Sequence, residues 1–177
     1  MNDYLLIMRI KSGDSQAWEV LVNKYYDQIF AYCVRRCYGN RVLAADLAQD
    51  IFLKLIENID RYHFSGKFFN YLFTIAVNTC HNYHKKKRLE TVSYEEYQVT
   101  EDRASFDLLD KNESIQKALD SLNEDQKDAI ILKYYLGFKV KEIAKITDTS
   151  VPTAQSRINQ GLKKLEKFLD REEFEYD

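Results

Sequence analysis

The chain has 177 residues, room for one ordinary domain or two small ones, and its 45% hydrophobic and 31% charged residues are the balance of a soluble globular protein. Only 5 Gly and 1 Pro leave little turn chemistry for a many-stranded sheet, and no apolar run approaches the ~20 residues that cross a bilayer. The formal net charge of −2 hides a segregation, because a run of four cations is followed by a long acidic stretch.

The N-terminus, MNDYLLIMRIKSGDS, begins with an acid and breaks its apolar run at Arg9, so it does not read as a secretory signal. Three cysteines without regular spacing do not make a disulfide framework, and the expected location is the cytoplasm. Over residues 14–38, Trp18, Leu21, Val22, Tyr25, Ile29 and Tyr32 recur at spacings of three and four, which is one face of a helix. Gly39 and Asn40 make the turn that ends it. Leu47, Ile51, Leu55 and Ile59 continue the pattern in a second long helix.

Residues 62–69 break the period and read as an aromatic-rich loop containing Tyr62, Phe64, Ser65, Lys67 and Phe68. A third helix then runs to about Lys87, with Leu72, Ile75, Ala76, Thr79 and Tyr83 on one face. Thr74, Val77, Asn78, His81 and Lys85 lie on the other. It ends in Lys85, Lys86, Lys87 and Arg88. Read alone, such a run fits a solvated helix end, where the macrodipole favours cations, as well as it fits a nucleic-acid contact. The loop tips the balance, since exposed aromatics stack on unpaired bases while cations hold the backbone. Tyr62 and Phe64 are the expected exposed pair; Phe68 and Tyr71 also fit a core.

Residues 89–112 are acid-rich and without period, as a flexible linker is. The rest reads as four short helices, with Asn123 capping one of them and Glu124 and Asp125 in its first turn. The last two, separated by TDTS, form a helix-turn-helix with Ser150 as N-cap and Pro152 in the first turn. Ile143, Ala144, Val151, Ala154, Ile158, Leu162 and Leu165 supply its apolar contacts. The outer face of the final helix offers Thr153, Gln155, Ser156, Arg157, Asn159, Lys163 and Lys164, which are the side-chain types that read bases and hold phosphates. A merely solvated face usually intersperses Glu with Lys. The expected fold is therefore all-α, two small helical domains (residues 1–88 and 113–171) joined by an acidic linker and followed by an acidic tail at 172–177.

Cys33 and Cys37, with Cys80, His81 and His84, have a spacing that two helices could bring to one metal ion, but the paired-ligand loops of zinc sites are absent and reduced thiols are the expectation. Asp46 and Asp50 lie four apart on one helical face with Gln49 between them and no histidine nearby in sequence, a polar contact surface more than an acid–base pair. No nucleophile elbow or phosphate-binding loop occurs, so neither catalysis nor a cofactor is expected.

The order of these motifs resembles the sigma-70 family of bacterial transcription factors, in its short extracytoplasmic-function (ECF) group. GDSQAWEVLVNKYYDQIFAYCVRR resembles the family's first conserved helix. ADLAQDIFLKL resembles the segment that docks on core RNA polymerase. GKFFNYLFTIAVNTCHNYHKKKR resembles the segment that reads the minus-ten promoter element, and residues 118–165 resemble the module that reads the minus-thirty-five element. The resemblance implies a specificity subunit without catalytic residues of its own. It assigns Asp46, Gln49, Asp50 and Phe52 to the beta-prime clamp helices. Tyr62, Phe64, Ser65, Lys67, Asn78, His81 and Lys85 to Arg88 fall to minus-ten DNA, and Thr153, Gln155, Ser156, Arg157, Asn159 and Lys163 to minus-thirty-five DNA, with Gln155, Ser156 and Asn159 facing bases. It further implies a contact with the beta flap, an anti-sigma factor as regulator, and no stable homo-oligomer. Tyr71 departs from the family's usual Trp. The rival reading is a stand-alone helix-turn-helix regulator, which would bind DNA tightly without polymerase.

Overall fold

The computed structural model describes residues 2–93 and 109–175, with side chains described for residues 2–90 and 113–171. Among these residues every regular element is helical, as the composition requires. Most of the acidic linker, residues 94–108, lies outside the described residues.

Helix α1 (Asp3–Lys11) precedes the first helix that the apolar spacing predicts. Asn2 caps it, its side-chain oxygen accepting from the Tyr4 N–H at 3.1 Å, and it buries Leu6, Ile7 and Ile10. Helix α2 (Ser15–Arg36) starts at Asp14, whose carboxylate accepts from the Gln16 and Ala17 N–H groups. Leu21, Tyr25, Ile29 and Tyr32 are buried as the period demands. Gly39 ends the helix with φ +80, a conformation that costs glycine nothing. Helix α3 (Arg41–Asn58) follows, capped by Asn40, and runs into a short 3₁₀ turn (Ile59–Arg61). Leu47, Ile51, Leu55 and Ile59 are all buried.

Helix α4 (Phe68–Ser93) is longer than expected and continues past Arg88 into the acidic segment. Val77, assigned to its polar face, is buried together with Phe73 and Cys80. The reason is tertiary. This helix is covered on one side by α2 and α3 and on another by the C-terminal helices, so its apolar stripe is wider than one neighbour would need.

The C-terminal helices are α5 (Leu109–Asp120), α6 (Glu124–Ile130), α7 (Val140–Ile146) and α8 (Val151–Glu175). Asn123 caps α6, accepting from the Gln126 N–H at 2.8 Å, as expected. Helix α6 passes directly into a π-helical turn, Ile131–Tyr135. In the helix-turn-helix, Asp148 takes a left-handed φ of +50, which short polar residues tolerate, and Ser150 caps α8 through the Thr153 N–H. Ile143, Ala144, Ala154 and Ile158 are buried, but Val151 and Leu162 are exposed. The seam they were expected to fill is instead closed by Gly161, where an added Cβ would sit 2.8 Å from Ile130 Cγ1. Helix α8 runs through Glu175, into the segment read as a tail.

Candidate nucleic-acid interface

Three surfaces carry the sequence-derived candidates. The first is on α3, where Asp46, Gln49 and Asp50 are exposed together with Val42, Leu53 and Ile56. Spacings of three and four place these residues on one side of the helix, so the strip is acidic and apolar at once. Phe52 is not part of it. It is 6% exposed and stacks on Tyr26 with ring centroids 6.3 Å apart, so it is a core residue that supports the strip from behind.

The second surface follows α4 from the loop before it to its basic end. Phe64 is exposed as expected, but Tyr62 is buried among Phe64, Phe68 and Tyr71, with centroid separations of 5.2, 5.6 and 4.6 Å. Burial wins because the 3₁₀ turn before Tyr62 and the start of α4 after it aim the ring inward. Helix α1 also holds the loop. The Lys11 ammonium donates to the Tyr62 carbonyl at 2.7 Å, and the Tyr4 ring lies 4.5 Å from Phe64. Lys11 and Tyr4 thus brace the candidate loop, and neither is among the residues singled out from the sequence. Their signal was present in the spacing of Leu6, Ile7 and Ile10 after a capping Asn2.

Ser65 is exposed, and Lys67 reaches Glu142 of α7 at 3.0 Å. Asn78 and Lys85 to Arg88 are exposed further along α4. From Phe68 to Lys85 a helix advances about 25 Å, the axial length of about seven base pairs. The loop and the cation run are therefore two ends of a strip rather than one pocket.

His81 lies elsewhere. It turns toward α6 and meets Asp128, a carboxylate only 1% exposed. Asp128 Oδ1 also accepts the Tyr32 hydroxyl at 2.7 Å and lies 2.9 Å from Arg36 Nε, an ion contact off the hydrogen-bond line. Arg36 is fully buried, and its Nη2 reaches Glu124 Oε2 at 2.5 Å. Its Nη1 has no hydrogen-bond partner. Burial alone would lower the pKa of Arg36, but Asp128, Tyr32 and Glu124 hold it above the ordinary value. Burial opposes ionisation of Asp128 as well, and Arg36 and His81 overcome it, so its pKa falls. The hydrogen bond with Asp128 raises that of His81. Beside this cluster, Phe138 is buried against Phe69 and Phe73 at 4.8 and 5.3 Å, and Arg35 lies 3.5 Å over the Tyr135 ring.

The third surface is on α8. Gln155, Ser156, Asn159 and Lys163, with Pro152 and Gln160, line one shallow concavity. Gln155 Nε2 donates to Asn159 Oδ1 at 3.0 Å, and Gln160 Nε2 to Ser156 Oγ at 3.1 Å, which pre-orders a row of amides and hydroxyls. Thr153 is exposed at the helix start. Arg157 is not in this row. It turns back to α6 and pairs with Asp125 at 2.8 Å.

Cys33, Cys37 and Cys80 are free, buried thiols. Burial, then the neighbouring Cys80, pushes Cys37 up to about 12. Among the described residues no group of three His, Cys, Asp or Glu side chains is placed to hold a metal ion, and no helix is long and apolar enough to cross a membrane.

Comparison with known proteins finds both a family and relatives for this chain. Residues 21–90 match the sigma-70 region 2 family and residues 112–165 the sigma-70 region 4 family, together most of the chain. The chain is 29% identical over 177 residues to the ECF RNA polymerase sigma factor SigW of Bacillus subtilis, covering 92% of this chain and 94% of that protein. It is 28% identical over 182 residues to the ECF RNA polymerase sigma-E factor of Haemophilus influenzae, covering 94% of each. In fold it is similar to the sigma factor RpoE solved with the anti-sigma factor NepR from Bartonella quintana (TM-score 0.70, 24% identity, 86% of this chain and 96% of that one). It is equally similar to CnrH solved with the cytosolic domain of CnrY (TM-score 0.70, 22% identity, 94% and 96%). The chain belongs to the sigma-70 family of RNA polymerase sigma factors, in its ECF group.

Proposed function

We propose that this sigma factor binds bacterial core RNA polymerase through the α3 strip and carries it to promoters read by α4 and α8. The observation that carries this reading is the separation of the surfaces by chemistry. Asp46, Gln49 and Asp50 present acid among exposed apolar residues, which suits a basic protein partner, while α4 and α8 present cations, amides and hydroxyls. Phe64 is the ring available to stack on a base taken from the minus-ten strand, with Asn78 further along the same helix and Lys85 to Arg88 holding phosphates. Gln155, Ser156 and Asn159 read base edges of the minus-thirty-five element, and Thr153 and Lys163 hold its backbone. Phe52 and Tyr62 act by supporting their surfaces from the core, and Arg157 by tying α8 to α6.

In this reading the protein is a cytoplasmic specificity subunit with no chemistry of its own, its C-terminal module also meets the beta flap, and it is monomeric when free. An anti-sigma partner is part of the proposal, in keeping with the complexes in which the RpoE and CnrH relatives were solved.

The test is run-off transcription with core polymerase, the purified protein and sheared genomic DNA, followed by sequencing of the transcripts. Discrete start sites preceded by two shared elements are expected. Absence of co-elution with core polymerase, together with tight sequence-specific DNA binding by the protein alone, would make it a stand-alone regulator.

A further inference from the structure

Two exposed rings meet at the loop end of the α4 strip, and one of them belongs to α1. Tyr4 is 50% exposed and Phe64 42%, and their ring centroids lie 4.5 Å apart with the planes inclined by 50°. Their free faces form one continuous aromatic surface. Met8, one helical turn after Tyr4, extends it with an exposed apolar side chain. An exposed tyrosine by itself calls for no explanation. This one differs in being fixed before any partner arrives.

Both ends of α1 do the fixing. At its start, Asn2 holds the Tyr4 N–H, and Asp3 accepts from the Lys24 ammonium at 2.6 Å and from the Tyr25 hydroxyl at 2.7 Å. At its end, the Lys11 ammonium donates to the Asp60 carbonyl at 3.2 Å and the Tyr62 carbonyl at 2.7 Å. Leu6, Ile7 and Ile10 are buried on the inner face between these ties. Phe64 is backed in turn by the buried Tyr62 ring. Helix and loop are thus one rigid support, which spares a ligand the cost of ordering it.

The ring geometry suits an unpaired strand and not a duplex. Neighbouring bases in a duplex are about 3.4 Å apart and nearly parallel. Rings 4.5 Å apart and inclined by 50° match two consecutive bases already spread from that stack. The gap is also too narrow for a base to enter, since a sandwich needs about twice 3.4 Å between the rings. Each ring therefore offers its outer face to a base of its own.

We propose that Tyr4 is a second base-stacking residue, so that the opened minus-ten strand lays one base on Phe64 and the neighbouring base on Tyr4. This rests on the functional reading above and extends its single-strand surface from α4 onto α1. Stacking accepts any base, because every base has a π-face. Tyr4 therefore adds affinity for the opened strand without adding sequence preference.

The test uses the full chain assembled with bacterial core polymerase and a forked promoter fragment taken from a start site mapped by run-off transcription. Single abasic positions are moved one at a time through its unpaired strand. The native protein should show two adjacent positions at which loss of the base weakens binding. At the position facing Tyr4, exchange of one base for another should matter little. Tyr4→Leu keeps an apolar helix former but removes the ring; it should weaken fork binding about tenfold and abolish abasic sensitivity at that position alone. Tyr4→Phe should retain both, and neither variant should change binding of the fully paired fragment. Unchanged fork affinity in Tyr4→Leu would overturn the proposal. Loss of abasic sensitivity at both positions would also overturn it, because Tyr4 would then merely brace Phe64. If the native chain neither binds core polymerase nor yields start sites, the sigma reading itself fails and the stacking role falls with it. Normal start sites with an indifferent Tyr4→Leu would sink the stacking role alone.

Discussion

His81 and His84 sit one turn apart on α4 and are tuned in opposite directions. Asp128 hydrogen-bonds His81 and raises its pKa against the cost of burial, with Asp125 adding to the rise and Arg36 opposing it. Burial lowers that of His84, helped by Arg36 and Lys127 and opposed by Glu124. The signs give the pH dependence of the packing between the two modules. His81 favours that packing fully below its ordinary value of 6.5 and loses the contribution as pH rises through its raised pKa. His84 must be neutral when enclosed, so it begins to oppose the packing as pH falls below 6.5. The packing of the two modules should therefore weaken both as pH falls below 6.5 and as it rises through the raised pKa of His81. Small-angle scattering across pH 5 to 9 checks this, and His81→Gln should remove the alkaline limb while leaving the acid one. On α8, Lys163→Ala should lower the salt slope of DNA binding by about one. Arg157, committed to Asp125, should change it less on conversion to Ala. Equal slopes for the two variants would return Arg157 to the phosphate contacts.

At the scale of elements, helices α6 and α8 meet where Gly161 faces Ile130. Replacing an exposed helix glycine with Ala normally stabilises by about 1 kcal/mol. Here the new methyl would lie 2.8 Å from Ile130 Cγ1 and 3.1 Å from its Cδ1, and overpacking of this kind costs about 1–3 kcal/mol. Gly161→Ala should therefore lower stability by about 1 kcal/mol, and adding Ile130→Val should recover most of it, both read from urea unfolding midpoints. The π-helical turn Ile131–Tyr135 shows another effect of neighbours on an element. It places Tyr135 under Arg35 and leads Phe138 to α4, so its irregular backbone serves the seam between modules.

For the whole molecule, the buried charge cluster joining α2, α4 and α6 is a poor source of net stability, because its groups must be stripped of water. Removing one partner from such a cluster costs about 3–5 kcal/mol, because the remaining charge is left uncompensated. The α3 strip is outside this cluster, so Asp50→Lys should weaken core polymerase binding while leaving the radius of gyration of the free chain unchanged. A change in radius would show that α3 also takes part in the packing of the modules.

The sequence by itself determined the long helices and the caps of two others, because hydrophobic period and N-cap chemistry are local: Asn123 and Ser150 both cap as read. It also placed the α3 strip and the amide row of α8, since spacing along a helix fixes which side chains share a face. Only the tertiary structure decided which of two possible environments each amphipathic side chain enters. Tyr62, Phe52 and Val77 are buried, and Arg157 and His81 are drawn into ion pairs, by residues distant in sequence. Arg36 and Asp128 are ordinary helix-surface residues in the linear pattern. They become a buried pair because the two modules close on each other, and the energy of that closure depends on partners 92 positions apart that no local period connects.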